Sequence, residues 1–368
     1  MKTTQQLHDL GQSLWLDNIT RGLLADGTLA RYIRDLSVTG LTSNPTIFDE
    51  AIKNGSFYDD AIARKSVAGG SDEALFFDLA IEDLTQAADL FRPIFDATGG
   101  IDGWVSLEVS PLLADDTAGT IKAARELHAR ARRPNLFIKI PGTLAGLGAI
   151  EESIFAGVPI NVTLLFSPAQ YLAAAEAYMR GIERRRAAGL ALGIHSVASI
   201  FVSRWDVAVK DKVPAALRNR LGIAIAQQAY QAYRNLLVAP RWRKLGSAGA
   251  SPQRLLWAST GTKDPAAPDT LYVEALAAPD TINTVPEKTL LAIADHGRLR
   301  GVMRDDGADA DKVLAQFAQA GVDASALAAQ LQHEGAESFT KSWRELLDVI
   351  AKKHATLASV NQKSAARP

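Results

Sequence analysis

The chain has 368 residues, 47% of them apolar and 22% charged, enough material for one large core beneath a solvated surface. Its 40 basic and 41 acidic side chains nearly cancel, so no broad attraction to nucleic acid or to a membrane surface is expected. It has no cysteine, which excludes thiol nucleophiles, thiolate metal sites and disulfides together.

The N-terminal stretch MKTTQQLHDLGQSLW is polar and amphipathic, unlike a signal peptide. No run approaches the ~20 apolar residues of a spanning helix, so a soluble cytoplasmic protein is expected. Beyond this stretch, short runs rich in Val, Ile, Leu and Phe alternate with longer stretches of helical apolar spacing, the pattern of an α/β fold with a parallel sheet. The strand candidates are 13–17, 38–43, 104–109, 136–140, 159–164, 197–202, 255–259 and 281–285. Between them helices are expected over 28–35, 72–96, 115–132, 145–155, 168–187, 214–238 and 267–277.

Two stretches carry sharper local signals. Ser167-Pro168 supplies an N-cap serine and a first-turn proline to the helix at 168–187. The run Arg184-Arg185-Arg186 near its end reads as a solvated helix terminus rather than a phosphate site. IPGTLAGLG, after the strand at 136–140, lacks the GK[ST] ending of a phosphate loop and reads as a turn into a helix. After residue 287 the pattern is wholly helical. The expected architecture is therefore a (β/α)8 TIM barrel over about 10–300, with C-terminal helices over about 301–357 closing over it as part of a single domain, 1–368. Ala358 to Pro368 reads as a frayed tail.

The histidines, at 8, 128, 195, 296, 333 and 354, are scattered. His333-Glu334 opens like a metal-binding HExxH motif, but Glu337 stands in the place of the second histidine. No histidine-built metal site is expected, which leaves only carboxylate binding of a hard cation open.

Polar residues sit at or near the C-terminal end of nearly every strand: Asp17, Asn44, Glu108, Lys139, Asn161 with Thr163, Ser199 followed by Arg204, Ser259, and Thr284. Barrel enzymes assemble their sites from that face. Lys139 interrupts the apolar run LFIKIPG, where an ammonium is costly unless paired. It is either an ion-paired barrel lysine or an amine that loses its proton and attacks a ketone carbonyl. Asp17 and Glu108 either neutralise Lys139 and Arg204 or divide the proton transfers of such a reaction. Asn44, before Pro45, is either a turn residue or a ligand. Asn161 and Thr163 need hydrogen-bond partners inside an apolar strand, which a polyhydroxylated substrate or a water would supply. Arg204, and Ser259 with Lys263, suit a phosphate site; the competing reading is plain surface charge, above all for Lys263.

WLDNITR around Asp17, GLTSNPT around Asn44, SLEVSP around Glu108, IKIPGT around Lys139, INVTLLFS around Asn161 and ASIFVSRWD around Ser199 resemble the transaldolase family. They run in the family's order across about residues 10–263. The resemblance implies a Schiff base on Lys139, formed without any cofactor. It implies that Asp17 handles a hydroxyl proton while Glu108 and Thr163 position water. Asn44, Asn161 and Ser199 would bind a dihydroxyacetone unit; Arg204 and Ser259 would bind a sugar phosphate. The implied reaction exchanges sedoheptulose 7-phosphate and glyceraldehyde 3-phosphate with erythrose 4-phosphate and fructose 6-phosphate. One departure stands out: Gly261 occupies the position where many members carry a second phosphate-binding arginine, and Lys263 is the available substitute.

The neighbouring class is fructose-6-phosphate aldolase, which usually has tyrosine where this chain has Phe201. A hydroxyl there would protonate the bound carbanion, so phenylalanine favours transfer. A non-catalytic scaffold barrel would have lost a reactive group, yet Lys139, Asp17 and Glu108 are all present. No GxGxxG loop supports a nicotinamide enzyme, and no separate phosphate site supports pyridoxal phosphate.

Overall fold

The computed structural model describes residues 1–66 and 70–365, except for side chains at 66 and beyond 357. Its parallel strands are β1 (Ser13–Asp17), β2 (Val38–Thr42), β3 (Val105–Glu108), β4 (Leu136–Pro141), β5 (Ile160–Leu165), β6 (Ser196–Phe201), β7 (Gln253–Ala258) and β8 (Ile282–Val285). They close in sequence order, and β8 pairs with β1. All eight strands lie where the sequence predicts them, with ends shifted by two residues at most.

Alternation along each strand explains the barrel's two apolar regions. Leu14, Leu16, Ile138, Ile140, Ala198 and Ile200 belong to the large core between sheet and helices. Their neighbours Trp15, Phe137, Val197, Leu256 and Ile282 form a second cluster that fills the lower barrel. Trp104 stacks on Phe137 there, with ring centres 3.9 Å apart. Gly40 makes this packing possible, since a Cβ at that position would come within 2.7 Å of the Trp15 indole. Above these aromatics the inward positions turn polar.

The helix Pro168–Ala187 has the expected start: Ser167 Oγ accepts from Gln170 N at 3.1 Å, and Gln170 Oε1 accepts from Ser167 N at 3.2 Å. Its basic end is only partly solvated. Arg184 pairs with Glu151 and Glu152, whereas Arg185 is buried and donates to the carbonyls of Phe155 and Ala191. Thr143 caps the helix Leu144–Phe155, so the glycine-rich stretch after Lys139 is indeed a turn into a helix.

The sequence reading lacks the helices Thr3–Asp9, Arg21–Ala25, Pro45–Asn54, Asp59–Ser66, Ser203–Val209 and Pro240–Gly246. The longest of these has 10 residues, shorter than the window over which periodicity is legible. The predicted helix at 214–238 divides into a short 3-10 turn, Ala215–Leu217, and the helix Leu221–Val238. Between them Asn219 adopts a left-handed φ of 60°.

Among the described residues three helices follow β8: Glu287–His296, Ala310–Gln319 and Ala324–Ala365. The last packs on the helices Pro45–Asn54, Asp59–Ser66 and Asp72–Ala97 and reaches β5, closing over the barrel as expected. Trp343 seats it against Phe76, at 4.9 Å between ring centres. Gln332 Nε2 donates to the carbonyls of Gly142 at 3.0 Å and Leu164 at 2.9 Å. Where a tail was expected from Ala358, the helix continues to Ala365; 366–368 lie outside the described residues. Among the described residues no helix is long and apolar enough to cross a membrane.

Candidate active site

Glu108 and Lys139 are direct partners in the β3–β4 register, at the C-terminal end of the barrel. Lys139 Nζ donates to Glu108 Oε2 at 3.0 Å and to the Ser43 carbonyl at 3.3 Å. Both side chains are almost fully buried, 7% and 6% exposed. A buried pair of this kind is tolerable only because each charge has its partner. Burial pushes the Glu108 carboxyl above its usual range; Lys139 pulls it back, and Asp17 adds a smaller upward push.

Asp17 ends β1 opposite Thr42. Thr42 Oγ1 donates to Asp17 Oδ1 at 2.8 Å and lies 2.6 Å from Thr284 Oγ1. Burial raises the Asp17 carboxyl, opposed by Lys139, by the Thr42 hydroxyl and by Lys263. Two carboxylates thus bracket one ammonium, and the Arg204 guanidinium brings the local charges into balance.

A bulge shapes the neighbouring strand. The β5–β6 register shifts between Val162 and Leu165, and Leu164 takes a left-handed φ of 58°. That conformation is uncommon for a leucine, and bulges next to sites re-aim side chains. Thr163, just before it, lines the cavity; its buried Oγ1 has no hydrogen-bond partner among the described residues.

The cavity has a volume of about 620 Å³. Asp17, Asn44, Lys139, Thr163, Ser199, Phe201, Arg204, Ser259 and Lys263 all line it. Asn44 caps the helix Pro45–Asn54, its Oδ1 accepting from Ile47 N at 3.1 Å, so it is a helix start as well as a wall residue. Ser259, with φ 55°, turns out of β7 and sits 2.9 Å from the Ser203 hydroxyl. The Arg204 guanidinium carbon lies 5.0 Å from the Phe201 ring centre. Burial lowers its pKa, while Glu108 and Glu334 oppose that.

Two predicted residues do not line the cavity. Glu108 is reached through Lys139. Asn161 is fully buried, its amide donating to Ser106 Oγ at 3.1 Å and accepting from Ser199 Oγ at 2.8 Å. Its hydrogen-bond need, read from the sequence as met by substrate or water, is met at these two points by serines. It braces Ser199, which does face the cavity.

Sequence reasoning missed Thr42, which holds Asp17, and Phe339, which lines the cavity from the last helix. Thr42 carried a signal, a polar residue ending a strand in GLTSN. Phe339 carried none, because an apolar residue in an amphipathic helix reads as core. His333 and Glu337 form an exposed pair at 3.4 Å. Among the described residues no group of three His, Asp or Glu side chains is placed to hold a metal.

An amine at the cavity floor, flanked by two carboxylates and faced by hydroxyls and a guanidinium, is equipped to attack a carbonyl, move protons and hold an anion. The family model described as Transaldolase/Fructose-6-phosphate aldolase matches residues 14–350. The chain is 45% identical to the Transaldolase of Arthrobacter sp. (strain FB24), covering 98% of this chain and 99% of that one. It is 46% identical to the Transaldolase of Thermobifida fusca (strain YX), covering 95% and 98%. It is also 46% identical to Transaldolase 1 of Streptomyces coelicolor, covering 95% and 94%.

Proposed function

The chain belongs to the transaldolase/fructose-6-phosphate aldolase family, and from that premise we propose how its own residues divide the chemistry. The activity is that of a transaldolase, an enzyme transferring aldehyde or ketone residues through a lysine Schiff base. The observation that carries the residue assignment is Lys139, buried, paired with Glu108 and lining one cavity with Asp17.

Lys139 passes a proton to Glu108, its hydrogen-bonded partner; the free Nζ then attacks the carbonyl carbon of a ketose phosphate, and water leaves as the imine forms. Glu108 and the Thr163 hydroxyl hold that water and return it when the imine is hydrolysed. Asp17 takes the proton of the C4 hydroxyl; the C3–C4 bond breaks, an aldehyde departs, and the bond's electron pair stays conjugated with the nitrogen of Lys139. The reverse steps join the three-carbon unit to a second aldehyde. A carboxyl raised from its usual range suits Asp17 to both directions, since it must accept and return one proton.

Asn44 and Ser199 take the hydroxyls of the three-carbon unit, with Asn161 bracing Ser199 from below. Arg204, Ser259 and Lys263 take the phosphate. Gly261 lines the same cavity, so Lys263 supplies positive charge near where many members carry a second arginine. Sugar phosphates of the sedoheptulose/fructose exchange are the proposed substrates, and the cytoplasm the proposed location. Phe201 supports transfer over release, because its ring offers no proton to the bound carbanion.

Borohydride reduction in the presence of fructose 6-phosphate, followed by peptide mass mapping, tests this reading. A reduced three-carbon adduct on Lys139, with turnover only when erythrose 4-phosphate is supplied, is the expected result. The same adduct with rapid release of dihydroxyacetone and no acceptor would favour the aldolase. No adduct on Lys139 would remove the mechanism.

A further inference from the structure

Phe339 comes from the last helix, yet its ring centre lies 5.6 Å from Lys139 Nζ and 5.8 Å from the Arg204 guanidinium carbon. It is 6% exposed and lines the cavity. Phe339 belongs to the buried apolar cluster that includes Phe166 and Phe201, yet its ring also meets two cations and the space where substrate reacts. Its helix is anchored on both sides of the ring: Gln332 bonds two barrel carbonyls, and Ser342 Oγ accepts from Thr46 Oγ1 at 2.9 Å. Gly335 sets the approach, since a Cβ there would lie 2.9 Å from Leu164 and 3.2 Å from Arg204. The ring is therefore held over the reactive amine rather than packed there loosely.

A phenyl ring donates no proton to a carbanion, but it occupies volume that water would otherwise take. We propose that Phe339 is a specificity-determining residue that keeps bulk water from C3 of the three-carbon unit on Lys139, so that the unit waits for an aldehyde. This rests on the Schiff-base reading above. Once C3–C4 has broken, loss of the unit requires two events. A proton must reach C3, and a water must add to C2, whose collapse frees dihydroxyacetone and restores the amine of Lys139. The second uses the water that Glu108 and Thr163 hold for every turnover; the first needs a proton from further water, in the space the ring occupies.

The test measures free dihydroxyacetone formed from fructose 6-phosphate without acceptor, against transfer to erythrose 4-phosphate, in the parent, Phe339→Leu and Phe339→Ala. Opening the site to water should raise the release-to-transfer ratio about tenfold for Phe339→Ala and about threefold for Phe339→Leu. A merely structural role would lower both rates in proportion, and an unchanged ratio in the folded variants overturns the proposal. If melting curves show that Phe339→Ala does not fold, Phe339→Leu decides by the same criterion. Borohydride trapping run alongside separates the two levels. No adduct on Lys139 in the parent sinks the Schiff-base reading and this inference with it; adducts in every protein with a constant ratio sink this inference alone.

Discussion

Glu108 stands opposite Lys139 in the β3–β4 ladder, and that pairing places carboxylate and ammonium 3.0 Å apart. Their meeting follows from strand register, which is fixed by the outward apolar residues on either side, Leu107, Ile138 and Ile140. The site's central contact is thus set by the same alternation that builds the core.

Glu108→Gln keeps the shape of the side chain and removes its ability to take a proton. Imine formation and hydrolysis should become limiting, with kcat lowered by roughly 10²–10⁴. Single-turnover borohydride trapping checks this: the adduct on Lys139 should still form, but slowly. Trapping at the parent rate would show that Glu108 serves only as a counter-ion.

Asp17→Asn should separate activity from stability. The Asp17 carboxyl is raised in the folded chain, chiefly by burial, against roughly 3.9 for an unfolded aspartate. The stability this group contributes is complete below that unfolded value and is lost as pH rises through the folded one. At pH 7 the charged form therefore works against the fold. The amide should raise Tm there by roughly 1–3 °C, with no gain near pH 3, while transfer falls at least about a hundredfold. In the parent, kcat/KM should fall as pH drops through the raised Asp17 value, with its acid limb above the ordinary aspartate range. Calorimetry at the two pH values and a pH–rate profile decide the matter.

Arg204→Lys should raise KM for phosphorylated donors about 10–100-fold, because hydrogen bonds to charged groups contribute roughly 1.5–3 kcal/mol and lysine lacks the planar fork. Lys263→Met should cost only a few-fold, and that loss should shrink at high salt because Lys263 is exposed. Steady-state kinetics at two ionic strengths measure both. Equal, salt-independent losses would contradict the division of labour.

Gln332→Leu removes the donor from the carbonyls of Gly142 and Leu164. Leaving buried acceptors unpaired costs about 1–3 kcal/mol, so the denaturant midpoint should fall. Because the Leu164 carbonyl belongs to the bulge beside Thr163, imine hydrolysis should slow as well. An unchanged midpoint would mean that water replaces the glutamine without cost.

The barrel was legible because its strands announce themselves twice, as apolar runs and as runs ending in a polar residue. Lys139, Asp17 and Glu108 were legible for the same reason: a charge inside an apolar strand needs a partner, and the strand order brings the partners together. Asn44 was ambiguous because Asn-Pro opens a turn and a helix alike; packing of the last helix on Pro45–Asn54 is what the local sequence does not contain. For Asn161 the need for partners was plain, but its bonds to Ser106 and Ser199 could not be placed without the register. Phe339 was invisible, because its proximity to Lys139 is made only by tertiary closure.

The roof over Lys139 lies downstream of β8, and this sets an order on synthesis. A chain growing on the ribosome acquires all eight strands, ending at Val285, before Gln332 and Phe339 are made. At about 5–20 residues per second that interval lasts several seconds. The Lys139 amine is therefore present in the nascent chain well before the helix that covers it has been made.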